Sequence, residues 1–275
     1  MKFKKSYQKY GLYLLMFLAA ILTLAPFVWM LSASIMPEGG ANQFPPRLFP
    51  KTPTWEHYQR LFSQMNIVRY FVNSVVVAVS VTLISLLFNS MAGYAFAKYR
   101  FPGKNKLFKL LLSAMVIPAQ VTMLPLFLML NRMGLVNTYW GIIIPGMASI
   151  YGIFLIRQYI MSIPDSLIEA ARIDGATDFY IYLRLILPLA KPILVTLALF
   201  TFMGSWNDFL WPLIVMTGDS MYTLPVALAN LMGEHAQDTE LMMAGAVITI
   251  LPVLIVFLAM QKYYIHGIML GSVKE

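Results

Sequence analysis

The chain has 275 residues, of which 59% are hydrophobic and only 12% charged, a composition outside the usual range of soluble domains. It contains no cysteine, which excludes disulfides, thiolate metal sites and a cysteine nucleophile. The net charge of +8 does not indicate nucleic-acid binding, because the basic residues are scattered at the ends of apolar segments and are not gathered on one face.

Six apolar segments are long enough to form membrane helices, which need about 20 residues each. They cover residues 11–33, 70–96, 107–130, 139–160, 190–216 and 242–262. The first follows a lysine-rich start and imitates a signal peptide, but its length and the lack of an Ala-x-Ala site favour a retained span. The sequence therefore predicts an all-α membrane protein, with residues 1–10 as an N-terminal tail and residues 11–275 as a domain of six transmembrane helices.

The basic residues predict the orientation of these spans. If the N-terminus is cytoplasmic, 15 of the 20 lysines and arginines lie in cytoplasmic segments. Those outside are Arg47, Lys51, Arg60, Arg69 and Arg132. This bias places both termini and the loop 161–189 in the cytoplasm, and segment 34–69 outside.

The external segment 34–69 is rich in proline and aromatic residues. Trp55, Tyr58, Leu61 and Phe62 have helical spacing with polar residues between them. This pattern is typical of an amphipathic helix lying in the outer membrane interface. The alternative is a docking surface for an external partner.

Loop 161–189 carries the signals of a capped helical hairpin. Asp165, or Ser166 together with Glu169, offers an N-cap and a capping box, and Gly175 stands where a helix needs a left-handed terminator. Thr177 or Asp178 can cap a second helix, predicted over Phe179 to Leu187, which Pro188 ends or bends. Such a polar hairpin is either a solvated connection or a docking site. Ala170 and Ala171 have small side chains, so another protein could approach the helix closely at these positions.

The spacing of this loop follows the pattern EAA-x3-G-x9-I-x-LP, with Leu185 in place of the isoleucine. It resembles the EAA loop of membrane subunits of binding-protein-dependent ABC importers. Further similar pieces are Asn73-Ser74, Ala92–Ala97 with Arg100–Lys104, Trp206–Phe209, Thr223-Leu224-Pro225 and Tyr264–Gly267. In this order, they resemble the smaller, maltose-type permease subunit of a sugar importer in the bacterial inner membrane.

The resemblance implies a type I importer architecture and a set of partners. A separate cytoplasmic ATPase dimer would hold ATP and Mg, a second permease subunit would pair with this chain, and an external binding protein would deliver the sugar. The implied ATPase-coupling residues are Ser166, Glu169, Ala170, Ala171, Asp174, Gly175, Leu187 and Pro188. The tail residues Gly271, Ser272, Val273 and Lys274 would reach the ATPase, unless they form a frayed terminus.

A polar cluster in the fifth span, Ser205 to Asp208, suggests a substrate path. Amides and carboxylates bind sugar hydroxyls and aromatic faces stack on sugar rings, so Trp206, Asn207 and Asp208 are candidates. Alternatively, Trp206 and Trp211 belong to an outer aromatic belt, Asp208 reaches interfacial water and Asn207 bonds another helix.

The competing function is a secondary carrier or channel that works without an ATPase. Carriers typically place ionisable residues within the membrane and often contain inverted repeats. Here Asp208 is the one acidic residue within a predicted span, and no repeat is evident. The chain has no phosphate-binding loop of the G-x-x-x-x-G-K-[ST] type, so we expect no nucleotide, catalytic residue or metal in it. The three histidines, His57, His235 and His266, are far apart and are interpreted as surface residues and not as metal ligands.

Overall fold

A computed structural model of the chain describes residues 2–45, 47–234 and 238–272. Within this described part all regular elements are helical, which confirms the all-α prediction. The α-helices are α1 Lys2–Ala33, α2 Glu56–Gln64, α3 Ile67–Lys98, α4 Lys104–Ala114, α5 Ala119–Arg132, α6 Tyr139–Gly146, α7 Ile150–Met161, α8 Asp165–Ile173, α9 Asp178–Ile181, α10 Leu187–Leu189, α11 Lys191–Trp206, α12 Leu210–Val215, α13 Leu224–Glu234 and α14 Thr239–Ser272. A π-helical turn, Tyr182–Ile186, joins α9 to α10, and a 3-10 turn covers Asp219–Met221.

The six predicted spans correspond to four long helical stretches and two bent helix pairs among the described residues. The four long stretches are Lys9–Ala33, Ile67–Lys98, Tyr139–Met161 and Thr239–Gln261, each apolar enough to cross a membrane. The two pairs are Lys104–Ala114 with Ala119–Arg132, bent by 100°, and Asp178–Leu189 with Lys191–Trp206, bent by 78°. Length and composition therefore allow six crossings if each bent pair counts as one.

The predicted third span, residues 107–130, is interrupted at Pro118. Helix α4 ends at Ala114, and α5 begins only after Pro118, whose backbone is extended with ψ of 133°. Proline has no backbone N–H and disfavours a helical conformation in the residue before it. The residues on both sides of Pro118 are mostly apolar, so hydropathy alone does not reveal the break.

The fifth predicted span, residues 190–216, is also interrupted. Helix α11 ends at Trp206, and α12 begins at Leu210. The side-chain amide of Asn207 donates to the carbonyl of Met203 at 2.9 Å. Short polar side chains compete in this way with the backbone pattern of a helix, which explains why the helix stops at the polar cluster.

The chain divides into two compact units, residues 1–68 with 227–251 and residues 69–226 with 252–275. In the first unit, segment 34–55 is tied to the start of α14. The Ala41 amide donates to the fully buried carboxylate of Glu240 at 2.7 Å, and Arg60 pairs with Asp238 at 2.8 Å. Helix α2 confirms the predicted helical spacing, with Leu61 buried and Trp55 exposed, so one aromatic face of this unit stays uncovered within the described residues.

In the second unit, α3 and α7 approach each other closely. A Cβ atom added to Gly93 would lie 2.7 Å from Cγ2 of Ile156, so the helices fit only with glycine at this position. Next to this contact, the buried amide of Asn89 donates to the Ser85 hydroxyl at 2.7 Å, and its carbonyl oxygen accepts the Ser149 backbone N–H at 2.9 Å. Close packing and buried hydrogen bonds of this kind are how membrane helices associate.

The first turns of α3 hold the loop that precedes α13. The Asn73 amide donates to the carbonyls of Ser220 and Tyr222 at 3.0 and 2.9 Å. The Ser74 hydroxyl accepts the backbone N–H of Leu224 at 2.7 Å. The motifs Asn73-Ser74 and Thr223-Leu224-Pro225, distant in sequence, therefore form one local structure.

Candidate functional site

Helix α8 is held on the core of its unit by one face and exposes the other. Ile168 is 5% exposed and packs in a cluster with Ile160, Ile181 and Ile186. The exposed residues of α8 and the turn after it include Ser166, Glu169, Ala170, Ile173, Asp174 and Gly175, while Ala171 is partly buried. Ile168 and Ala171, three residues apart, lie on one side of the helix, which therefore has two distinct faces.

The N-terminal end of α8 is fixed by an ion pair and not by the predicted capping box. The helix begins at Asp165 after Pro164, and no side chain caps it. The Asp165 carboxylate instead accepts a hydrogen bond from the Lys98 ammonium at 2.6 Å, and the same ammonium donates to the Ile163 carbonyl at 2.5 Å. This hydrogen bond lowers the pKa of Asp165. The capping-box prediction is wrong because Asp165 is itself helical and its side chain points to the end of α3.

The C-terminal end of α8 confirms the prediction for Gly175. Gly175 has φ of +81°, in the left-handed region that favours glycine. The Ala176 amide donates to the Ala171 carbonyl and the Gly175 amide to the Arg172 carbonyl, both at 3.0 Å. These bonds close the exposed end of the helix in the manner of a Schellman motif.

The second helix of the hairpin starts as predicted but ends later. Of the two candidate caps, Thr177 is the N-cap, and its hydroxyl accepts the Tyr180 backbone N–H at 3.3 Å. Asp178 instead pairs with Arg172 at 2.9 Å, which joins the two helices of the loop, and this hydrogen bond raises the pKa of Arg172.

The helical segment after Thr177 contains the π turn and continues beyond Leu187. The Leu187 amide donates to the carbonyl of Tyr182, five residues earlier. Pro188 was predicted to end or bend the helix; it lies inside α10, which ends one residue later at Leu189. The bend of 78° follows directly, between Leu189 and Lys191. Within the π turn the Tyr182 hydroxyl is hydrogen-bonded to the Ser90 hydroxyl at 2.7 Å, so the loop is fixed to α3 at a second point.

Large apolar side chains are exposed on this otherwise polar loop. Ile173 is 87% exposed, and Leu167, Phe179 and Tyr180 are exposed as well. Apolar groups that cluster on a polar surface often mark a site of protein interaction. These apolar groups are therefore candidates for contact with another protein, and the loop that carries them is fixed to α3.

A second candidate site is a cavity of about 440 Å³ beside the break after α11. Its polar lining groups are Ser85, Ser149, Tyr151, Thr201, Ser205 and Asp208. Hydroxyls, a carboxylate and an aromatic ring can together bind a polyhydroxylated solute. Ser85, Ser149 and Tyr151 were not predicted, because the sequence does not indicate which faces of α3 and α7 meet α11.

The remaining residues of the polar cluster lie elsewhere. Trp206 is 1% exposed, stacks on Phe202 and meets Phe71 edge-on. The Trp211 indole, which lines the cavity, is also buried and donates to the Gly141 carbonyl at 3.1 Å. The aromatic-belt interpretation is therefore wrong for both indoles. Asn207 is exposed and its amide is bonded to its own helix, so Asp208 is the candidate of the three that the structure places on the cavity.

The predicted tail and histidines are described only in part. Gly271 and Ser272 are the last residues of α14, and Val273 and Lys274 lie outside the described residues. His57 is 1% exposed, and its ring Nε2 lies 2.8 Å from the Met36 carbonyl oxygen, so its interpretation as a surface residue is wrong. His235 and the side chain of His266 lie outside the described part, and among the residues inside it no group of three potential metal ligands occurs.

Comparison with known proteins identifies the family. Residues 89–269 match the model of the binding-protein-dependent transport system inner membrane component. This chain belongs to that family. The match includes all of loop 161–189, and it confirms the resemblance to ABC importer permeases and the multi-pass inner-membrane location. The family consists of transport components, in agreement with the expectation that this chain is a transport subunit and not an enzyme.

Several relatives are similar over most of their length. The arabinooligosaccharides transport system permease protein AraQ of Bacillus subtilis (strain 168) is 37% identical over 275 residues, covering 98% of this chain and 97% of AraQ. The alpha-glucoside transport system permease protein AglG of Rhizobium meliloti (strain 1021) is 37% identical, over 84% of this chain and 61% of AglG.

Among solved structures, a chain of a bacterial ABC transporter involved in the import of the acidic polysaccharide alginate aligns with a TM-score of 0.84 and 28% identity, covering 94% of this chain and 98% of that one. The predicted type I permease architecture is therefore confirmed.

Proposed function

We propose that this chain is a carbohydrate permease subunit whose loop 161–189 receives the movement of a separate ATPase dimer. The observation that carries the proposal is the construction of α8. One face and both ends of the loop are fixed to its unit by Ile168, by the Lys98–Asp165 pair and by the Tyr182–Ser90 hydrogen bond. The other face exposes Ile173 and Ala170. A partner that grips the exposed face can therefore move the attached spans.

The partners and cofactors follow from this role. ATP and Mg belong to the ATPase, and a second permease subunit and an external binding protein complete the importer. Transport is then a population shift between inward-facing and outward-facing states, driven by ligands that bind the two states with different affinity. Membership of a binding-protein-dependent family supports this assignment over a carrier that works alone.

A carbohydrate is the proposed substrate class. The named relatives include permeases for arabinooligosaccharides, alpha-glucosides and lactose. The cavity beside α11 adds a chemical argument, because the hydroxyls of Ser149 and Thr201 and the Asp208 carboxylate suit hydrogen bonds with sugar hydroxyls. We propose that this cavity contributes to the substrate path, with Asp208 as its principal polar group.

The coupling role can be tested at Ile173, because its side chain has few contacts within the chain. Ile173→Asp should leave insertion and melting temperature unchanged, since exposed substitutions usually change stability by less than about 0.5 kcal/mol. Uptake and ATP hydrolysis in the reconstituted importer should fall at equal permease content. Met133→Asp, at an exposed position after α5, is the matched control and should behave as wild type. Normal uptake by the Ile173 variant would refute the proposed contact.

A further inference from the structure

A separate cavity of about 370 Å³ lies between the end of α3 and α8. Tyr94, Lys98 and Arg100 line it from the side of α3, and Asp165, Glu169 and Arg172 from α8. Its volume lies within the range of small-molecule sites, roughly 300–1,000 Å³. Tyr94 and Arg100 belong to the motif Ala92–Ala97 with Arg100–Lys104 at the end of the second span. The proposed transport role assigns this motif no function.

The deepest polar group of this cavity has no partner in the part of the chain that the structure describes. Tyr94 is 3% exposed, and its hydroxyl makes no well-formed hydrogen bond there; the Tyr99 side chain, which also lines the cavity, is its polar neighbour. Its ring is fixed from two sides, stacked on Tyr182 with centroids 5.8 Å apart and edge-on to Tyr99 at 5.3 Å. Leaving a buried hydroxyl unpaired is unfavourable, so an occupant that hydrogen-bonds to this hydroxyl would recover the lost interaction.

The charged groups around the cavity differ in whether they are already paired. Lys98 is bonded to Asp165 at 2.6 Å and Arg172 to Asp178 at 2.9 Å. Arg100 has neither an ion pair nor a hydrogen bond to another described residue. A guanidinium offers five N–H donors in a planar fork, and the Lys98 ammonium keeps one donor beyond the two it uses. The polar groups at this end of the cavity that still lack a hydrogen-bond partner are therefore mainly cationic donors.

We propose that this cavity binds a small phosphate-bearing molecule, with Arg100 and Lys98 on the phosphate oxygens and the Tyr94 hydroxyl donating to the same group. An arginine fork and a tetrahedral oxyanion match in geometry as well as in charge. Glu169, exposed at the rim, is a suitable acceptor for hydroxyls of an attached sugar. Inorganic phosphate and a sugar phosphate share this chemistry, and they differ in whether the Glu169 end of the cavity is used.

An occupant would contact α3 and α8 at once and would restrain α8. The effect on transport rests on the proposed coupling function, whereas binding itself does not. A phosphorylated solute on the predicted cytoplasmic side would then slow import by holding α8 in one position. Such inhibition needs only a difference in the ligand's affinity for the two transport states.

Binding can be measured by calorimetry on the purified full chain in lipid nanodiscs, with inorganic phosphate, glucose 6-phosphate and glucose as probes. We expect saturable binding of both phosphate compounds and none of glucose. Arg100→Gln should weaken binding by at least about tenfold, because it removes charge-assisted hydrogen bonds. Tyr94→Phe, which removes only the hydroxyl, should weaken it about three- to tenfold. Arg132→Gln, at an exposed arginine outside the cavity, is the matched control.

The outcomes separate the alternatives. Tighter binding of glucose 6-phosphate than of phosphate supports a sugar phosphate, and equal affinity supports recognition of phosphate alone. Absence of saturable binding, equal binding of glucose, or equal losses in Arg100→Gln and Arg132→Gln would overturn the proposal. If glucose 6-phosphate binds but leaves uptake by the complete importer unchanged, the site stands and the restraint of α8 is refuted.

Discussion

The left-handed turn at Gly175 provides a quantitative test of the coupling role. Its φ is +81°, and no atom lies within 4 Å of the position that a Cβ would take. Valine at this position is therefore free of clashes but strained, by about 1–3 kcal/mol. If the turn relaxes instead, the end of α8 loses the bonds made by the Gly175 and Ala176 amides. At about 2 kcal/mol, the equilibrium constant between the native turn and a relaxed turn falls by roughly a factor of 30.

A matched control is available in the same chain. Gly134, which follows α5, has φ of +69° and equally open surroundings. Gly134→Val should therefore lower the melting temperature about as much as Gly175→Val. Only Gly175→Val should reduce uptake and stimulated ATP hydrolysis, measured in proteoliposomes of the complete importer at equal permease content. We expect a loss of up to roughly 30-fold, the limit that applies when the relaxed turn becomes the dominant state.

Two results would refute this reasoning. Equal losses of uptake in both valine variants would mean that backbone strain anywhere in the permease is harmful, so that position has no special role. Normal uptake with Gly175→Val would mean that the native end of α8 is not needed for transport. In either case, the proposed contact between loop 161–189 and an ATPase would lose its main support.

Four further predictions concern the Lys98–Asp165 ion pair, the membrane topology, the C-terminal tail and the cavity beside α11. The pKa of Asp165 is lowered in the folded chain, so its pair with Lys98 is complete above about pH 4 and is lost as the pH falls through the folded value. The difference in melting temperature between wild type and Asp165→Asn should stay constant from about pH 8 to 5 and shrink at lower pH; a difference that instead shrinks toward pH 8 would contradict the pair. In intact cells an impermeant thiol reagent should label Ser220→Cys but not Ser166→Cys or Ser272→Cys, and labelling at Ser166 would reverse the orientation. Deletion of residues 271–275 should reduce ATP-driven uptake, whereas unchanged uptake would show a frayed terminus. Asp208→Asn should alter uptake across a sugar panel by about tenfold, and Asn207→Ala tests the neighbouring amide; unchanged kinetics in both would place the substrate path elsewhere.

The sequence predicted those features that depend on local rules. Hydropathy located the membrane segments, and the need for positive φ identified the turn at Gly175. The spacing of the loop motif predicted the family. These features depend on a few neighbouring residues, so no knowledge of tertiary contacts is required.

The features that were mispredicted depend on contacts distant in sequence. Asp165 was predicted to cap α8, but its carboxylate accepts a hydrogen bond from Lys98, which lies 67 residues away in the sequence. Trp206 was considered for the substrate path and the aromatic belt, but its ring packs against Phe71. His57 was predicted to lie on the surface, but it is buried and its ring Nε2 lies within hydrogen-bonding distance of the Met36 carbonyl oxygen. Chain breaks without a change in hydropathy, as at Pro118, are similarly invisible to an average over many residues.

The π turn at Tyr182–Ile186 constrains how the loop and the fifth span can vary in length. A π turn holds one residue more than an α turn, and each α-helical residue advances the chain by about 100°. The i→i+5 hydrogen bond absorbs this extra residue, so deleting one residue inside the turn would restore α-helical spacing and leave the flanking segments in nearly the same orientation. The same deletion among the α-helical residues that follow the turn would rotate the preceding segment by about 100°, so that the buried Ile181 and Tyr182 would leave the core and α8 would point in a different direction. The π turn is therefore the point at which this segment can lose one residue without changing the direction of α8.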